Sequence, residues 1–233
     1  MKHKYGVHYA AWGNEWDVDI KERIHLASQA GFDDLEVTPP SYIAELDLPK
    51  MDELKKCAKD HGIEISWCIG FPKKYDMASE DEAVRRQGIE YTKHMLEAIS
   101  KMDGKILSGI LYSSWPYDFS YVPDKEKTWE LALESVKECV KTAEDYGITY
   151  AIELVNRFEQ FLLNSVDEGL KFVKQVDSPN CKLLLDMFHM GIEETSSPEA
   201  IRKAGQYLAH LHVCQNNREI PAPCDNVPWE QIG

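Results

Sequence analysis

Asp145-Tyr146-Gly147-Ile148-Thr149-Tyr150-Ala151-Ile152-Glu153-Leu154 joins a long amphipathic segment to a short β-rich one through a single glycine. Glycine suits the left-handed residue just past a helix C-terminus, and β-branched and aromatic residues then favour a strand. The same junction recurs at Ala30-Gly31-Phe32, His61-Gly62-Ile63 and Asp103-Gly104-Lys105. Working outward, strands are predicted at 5–9, 34–37, 64–69, 105–111, 150–154, 182–186 and 208–213. Helices are predicted near 18–30, 50–60, 80–102, 125–146, 166–175 and 198–206. Ser79 before Glu80, Ser165 before Asp167-Glu168, and Ser197 before Pro198 read as helix starts. Strict alternation of strand and helix predicts a parallel sheet, closed as a barrel or open and doubly wound. No G-x-G-x-x-G follows the first strand, as a dinucleotide-binding sheet would want. Polar residues instead gather at the C-terminal ends of many strands, where a barrel keeps its chemistry. The expected fold is an α/β, (β/α)8 TIM-type barrel.

Seven strands are counted, and Trp229-Glu230-Gln231-Ile232-Gly233 begins a seventh helix. The expectation is one barrel domain over residues 1–233, truncated after strand seven and missing the eighth strand and the C-terminal helices. Hydrophobic content of 43% and charged content of 28% are ordinary for a globular chain of 233 residues. No run approaches the roughly 20 apolar residues of a membrane helix, and no signal peptide precedes the first strand, so no membrane is expected. Six scattered cysteines without a C-x-x-C pair fit reduced thiols, and a cytoplasmic location is expected. Forty acidic residues against 26 basic ones give a formal charge of −14 and no Lys/Arg-rich run. That balance argues against a nucleic-acid partner and favours a small neutral substrate.

Four places carry candidate chemistry. Glu153 closes strand five between Ile152 and Leu154, where a carboxylate is partly buried and needs a cation or donors. Glu159 follows six residues later in the loop. Leu183-Leu184-Leu185-Asp186 is a buried strand with a carboxylate at its tip, and His189 follows in a loop. A solvated strand end at Glu153 and a capping role for Asp186 are the plainer alternatives. His210-Leu211-His212 puts two imidazoles on one strand face. Arg218, six residues on, is placed over the barrel mouth. Glu153, Asp186 and His212 together make an O/O/N donor set from three consecutive strands, suited to Mn²⁺, Co²⁺, Mg²⁺ or Zn²⁺.

The same residues carry a family resemblance. Ile152-Glu153-Leu154-x-Asn156-Arg157-Phe158-Glu159, Leu185-Asp186-Met187-Phe188-His189-Met190 and His210-Leu211-His212 followed by Arg218 resemble the D-psicose (D-allulose) and D-tagatose 3-epimerases, within the xylose-isomerase-like barrel superfamily. Trp12, Glu15-Trp16, Leu35-Glu36, Trp115-Pro116 and Pro228-Trp229 extend the likeness along essentially the whole chain.

The resemblance implies that Glu153, Asp186 and His212 are metal ligands, with Mn²⁺ the first expectation and Co²⁺ or Mg²⁺ the others. It makes Glu153 one of two catalytic carboxylates. It gives Glu159, His189 and Arg218 to the C1–C3 oxygens of a ketose, Glu36 and Trp115 to the pocket wall, and Trp16 to a lid. The implied reaction is metal-dependent 3-epimerisation of a ketose, of the D-fructose/D-psicose or D-tagatose/D-sorbose type, through a cis-enediolate. A homodimer or homotetramer is implied as well. The family's remaining ligand, also its second catalytic glutamate, is expected on an eighth strand past Gly233, so the 233 residues alone lack it. Glu193 and Glu194 are not expected to substitute. His8 replaces an aromatic residue at the substrate's far end, and Gln215 removes a charge beside the site. Other readings are an aldose–ketose isomerase, a zinc phosphodiesterase acting on abasic DNA (disfavoured by the charge), and a non-catalytic sugar- or metal-binding truncated barrel.

Overall fold

The computed structural model describes residues 3–13, 15, 17–120, 122–221 and 227–232. Its strands are β1 (Gly6–His8), β2 (Asp34–Val37), β3 (Glu64–Phe71), β4 (Ile106–Ser114), β5 (Thr149–Glu153), β6 (Cys181–Asp186) and β7 (Leu208–His212). Between and after them lie α1 (Ile20–Ala30), α2 (Ser41–Ala44), α3 (Leu48–His61), α4 (Glu82–Lys101), α5 (Lys125–Tyr146), α6 (Val166–Val176), α7 (Met187–Glu193), α8 (Ser197–Ala204) and α9 (Trp229–Ile232).

The strands pair in parallel, and their spatial order is β1-β2-β3-β4-β5-β6-β7, the order of the sequence. A doubly wound sheet would reverse order partway across, so this topology is that of a barrel. Curvature is evident from side chains. Glu36 on β2 and His212 on β7 stand five strands apart in the sheet, yet their carboxylate and imidazole approach to 2.9 Å. Only a sheet curled round on itself brings them together.

Local chemistry explains most element ends. Gly147, at φ 64°, stops α5 in the left-handed region, and Gly31 and Gly62 do the same for α1 and α3. The fourth junction differs from expectation. Asp103, not Gly104, takes the left-handed turn after α4. Gly104 is required for space instead, since a Cβ there would lie 2.5 Å from Ile99 Cγ2 and 2.9 Å from Trp67 Nε1. Ser165 caps α6 in a reciprocal capping box with Glu168. The other two expected caps move by one or two residues, because Asp81 caps α4 and Ser196 caps α8. β1 is shorter than expected, since Tyr9–Trp12 turns into a 3-10 helix.

Between sheet and helices lies an apolar layer in which Trp67, Tyr112, Tyr150 and Phe172 are fully buried. Side chains of this kind contribute roughly 1.5–3 kcal/mol each on burial. Inside the curl the sheet is polar. Asp34 sits there, accepting a 2.6 Å hydrogen bond from Ser66 Oγ, and burial pushes its pKa from an ordinary 3.8 up to about 6. A raised carboxyl pKa means the folded state holds the proton more tightly than the unfolded one. The penalty is absent below pH 4, grows between pH 4 and 6, and is complete above, at about 3 kcal/mol. Asp34→Asn, whose amide oxygen can still accept from Ser66, is expected to stabilise the protein by about 1–3 kcal/mol at pH 8 and hardly at all at pH 4. Urea denaturation at both values checks this, and equal gains at the two would contradict it.

Candidate active site

β5, β6 and β7 each end on one side chain of the polar cluster. Glu153 is the last residue of β5, Asp186 the last of β6 and His212 the last of β7. Register aligns Asp186 with His212 directly. Glu153 is 6% exposed and Asp186 9%, so neither carboxylate is a solvated strand end. His212 Nδ1 lies 3.4 Å from Asp186 Oδ2 and 3.6 Å from Glu153 Oε1. Donor atoms of all three fall within 4.8 Å of one another. Asp186 serves twice. Its Oδ1 accepts from the backbone N–H groups of Phe188 and His189 at 2.7 and 3.1 Å, capping α7, while Oδ2 faces the imidazole. The capping alternative and the cluster role are both met by one carboxylate.

His212 also meets Glu36, which is 5% exposed. Glu36 Oε1 is 2.9 Å from His212 Nε2, and Glu36 Oε2 is 2.9 Å from His210 Nε2. These are ion-pair distances off the N–H axis, and among the described residues Glu36 Oε2 and His212 Nε2 have no aligned hydrogen-bond partner. Burial lowers the pKa of His212, but Glu36 first, then Asp186 and Glu153, drive it well above the usual imidazole value. Burial raises Asp186, and His212 and His189 outweigh it, holding the carboxyl below its ordinary range. Glu36 is likewise held well below, by His212 and His210 against the effect of burial. Three buried carboxylates therefore gather around one imidazole. Even with both ring nitrogens protonated the cluster stays net negative, a setting that favours a multivalent cation.

Beside the cluster is a hydrogen-bonded trio centred on Asn156, which is 2% exposed. Its Nδ2 donates to Glu159 Oε1 at 2.9 Å and sits 2.7 Å from His189 Nδ1, while its backbone N–H donates to the same Nδ1 at 3.2 Å. Two donors at Nδ1 make that nitrogen the acceptor, so the ring proton is on Nε2. His189 Nε2 points toward Glu153, 3.9 Å from Oε1. Arg218 Nη2 donates to Glu159 Oε1 at 3.2 Å and only abuts His189 Nε2, at 3.3 Å, because both are donors. The guanidinium lies over the Phe188 ring, 4.2 Å from its centroid. Trp115 Nε1 donates to Glu159 Oε2 at 3.0 Å.

Most of the residues singled out in the sequence thus converge. His189 is a correction, since it stands in the first turn of α7 rather than in a loop. Glu36 faces histidines. His8 lies at the end of β1 in register with Glu36, and burial lowers its pKa. Trp16 lies outside the described residues. Glu193 and Glu194 are engaged elsewhere, with Arg157 at 2.6 Å and the Val166 N–H at 2.6 Å. Sequence reasoning assigned no role to Asn156 or His210. Asn156 could have been suspected from its place between Glu153 and Glu159, two carboxylates in one short run.

A family model described as xylose isomerase-like TIM barrel matches residues 24–232. The chain belongs to that family. Among its relatives in this barrel family is the D-psicose 3-epimerase of Ruminiclostridium cellulolyticum, 40% identical over 99% of this chain and 78% of the relative. The D-psicose 3-epimerase of Agrobacterium fabrum is 38% identical over 99% of this chain and 79% of its own length. A crystal structure of D-psicose 3-epimerase with D-tagatose from Clostridium cellulolyticum superimposes with a TM-score of 0.93 at 39% identity, covering 99% of this chain and 79% of that one.

Proposed function

We propose that this xylose isomerase-like barrel is a ketose 3-epimerase, an isomerase that inverts C3 of a sugar such as D-fructose, D-psicose, D-tagatose or D-sorbose. One observation carries the reading. Two buried carboxylates and an imidazole at three strand ends converge next to a hydrogen-bonding trio, in a chain 38–40% identical to proteins named D-psicose 3-epimerases. Glu153, Asp186 and His212 would hold a divalent cation, with Mn²⁺ first and Co²⁺ or Mg²⁺ next. The fit is geometric as well as electrostatic. Donors about 2.1 Å from one ion at angles of 90–109° lie about 3.0–3.5 Å apart, and His212 Nδ1 stands 3.4 and 3.6 Å from its two carboxylate neighbours. When bound, the ion supplies Lewis-acid stabilisation of negative charge on sugar oxygens.

The chain's own residues would do the rest. A Glu153 oxygen takes the C3 proton, the C3–H pair becomes the C2–C3 double bond, the C2 carbonyl π pair moves onto O2, and the sugar passes through a cis-enediolate. His189 presents Nε2–H as a donor, Arg218 a guanidinium and Glu159 an acceptor, which suits them to grip the hydroxyl and carbonyl oxygens around C1–C3. The Trp115 indole fixes Glu159 and walls the pocket beside it. Return of the proton to the opposite face needs a second acid, the role the resemblance gives to a glutamate on an eighth strand.

Incubation of a form that carries the eighth strand with ketoses in D₂O and Mn²⁺ is the test. C3 deuterium and the C3 epimer are expected together, and neither from any common ketose would defeat the reading. Removal of the ion with EDTA is expected to lower turnover about 10²–10³-fold, with recovery on adding Mn²⁺ or Co²⁺. Turnover unchanged by exhaustive chelation would refute the metal part alone.

A further inference from the structure

We infer that Glu36 is a positioning residue that turns His212 so that its Nδ1, and not its Nε2, faces the cation. This rests on the reading of Glu153, Asp186 and His212 as the cation's holders. The two nitrogens of His212 have different company. Nδ1 stands 3.4 and 3.6 Å from the carboxylates of Asp186 and Glu153, a separation with room for an ion between donors. Nε2 stands 2.9 Å from Glu36 Oε1, in direct contact with that carboxylate and on the other side of the ring from the Asp186 and Glu153 oxygens. A carboxylate pressed against Nε2 favours the tautomer with its proton there, which leaves the Nδ1 lone pair free.

Glu36 is itself held in place. It is buried on β2, and its second oxygen is 2.9 Å from His210 Nε2, so the two histidines of β7 grip one carboxylate from either side. Their rings stand edge to face, 5.2 Å between centroids. The alternation that puts His210 and His212 on one strand face therefore yields one metal-facing ring and one ring that anchors Glu36. A second ion held by Glu36, Cys68 and His212 is the competing possibility, since donors of these three also lie within 4.8 Å. Against it, Nε2 and Oε1 already meet in direct contact, and burial pushes the Cys68 thiol well above its ordinary pKa.

The test is metal binding by the intact protein, read by calorimetry with Mn²⁺ and by the visible absorption of Co²⁺. Glu36→Ala is expected to weaken Mn²⁺ about 10–100-fold, the usual effect of losing a group that orients a ligand, and to alter the Co²⁺ bands. Glu36→Gln, which keeps an oxygen of the same reach beside Nε2, is expected to recover most of that loss. Should Glu36→Ala not fold, Glu36→Asp withdraws the carboxylate by one methylene and carries the same expectation of weakened binding. Wild-type Mn²⁺ affinity in Glu36→Ala, or in Glu36→Asp where that stands in, overturns the inference and leaves the cation site intact. A wild-type protein that binds neither ion overturns the cation reading, and this inference with it.

Discussion

Glu153→Gln is expected to lower kcat for ketose epimerisation by about 10³-fold or more while leaving the fold intact. The amide matches the carboxylate in shape, and Glu153 lies buried at the tip of β5, so packing against Ile152 and Leu154 survives. What is lost is a negative charge facing His212 and His189 and an oxygen able to take a proton. A positioned general base contributes typically 10²–10⁴-fold, and weaker hold on the ion adds to that. Saturating Mn²⁺ separates the two contributions, because only the ion-binding part is restored by mass action. Turnover within tenfold of wild type at saturating Mn²⁺ would remove Glu153 from the proton-transfer role. A thermal melt within a few degrees of wild type is the accompanying check that chemistry, not folding, was changed.

Gly109→Ala is expected to prevent the protein from accumulating in folded form. Gly109 sits in β4 with φ 114°, in register with Ile69 of β3 on one side and Ile152 of β5 on the other. A Cβ would be placed 2.2 Å from the Ile69 carbonyl oxygen and 2.9 Å from its carbon. The overlapped atoms are backbone, so relief requires moving β3 away from β4 and breaking ladder hydrogen bonds in the middle of the sheet. Backbone strain at such a φ is about 1–3 kcal/mol by itself. With the clash the sum is on the order of 5 kcal/mol, comparable with the whole stability of an ordinary domain. Soluble yield and far-ultraviolet circular dichroism report the outcome. A well-folded variant melting within a few degrees of wild type would mean that β4 can relocate, contrary to its paired position.

The barrel was legible because its signals are local. Glycine at a helix end, β-branched residues after it, and an acid or imidazole where strands five, six and seven stop are read within a dozen residues. The shifted caps at Asp81 and Ser196 show where that locality blurs, since several residues of similar capping strength stand side by side and tertiary fit chooses between them. Gly104 was placed correctly for the wrong reason, because its need is room against Ile99 and Trp67 and not a left-handed backbone. The Glu153–Asp186–His212 cluster could be anticipated from strand ends alone. The contact of Glu36 with both histidines could not, because it depends on how tightly a seven-stranded sheet curls. Asn156 was missed for a related reason. Asparagine at a strand exit is usually a turn residue, and its hold on His189 crosses to the first turn of α7.

The proposed ligands arrive from three separate strands, tens of residues apart along the chain. No two of them share a helix or a hairpin, so no short local segment presents a pair of them at binding distance. Where ligands are close-spaced, as in small zinc modules, the ion can drive the chain into shape. Here parallel pairing, with its long loop closures, has to be finished first. The ion would then act as a late arrival that recognises a completed protein and not as the nucleus from which it grows.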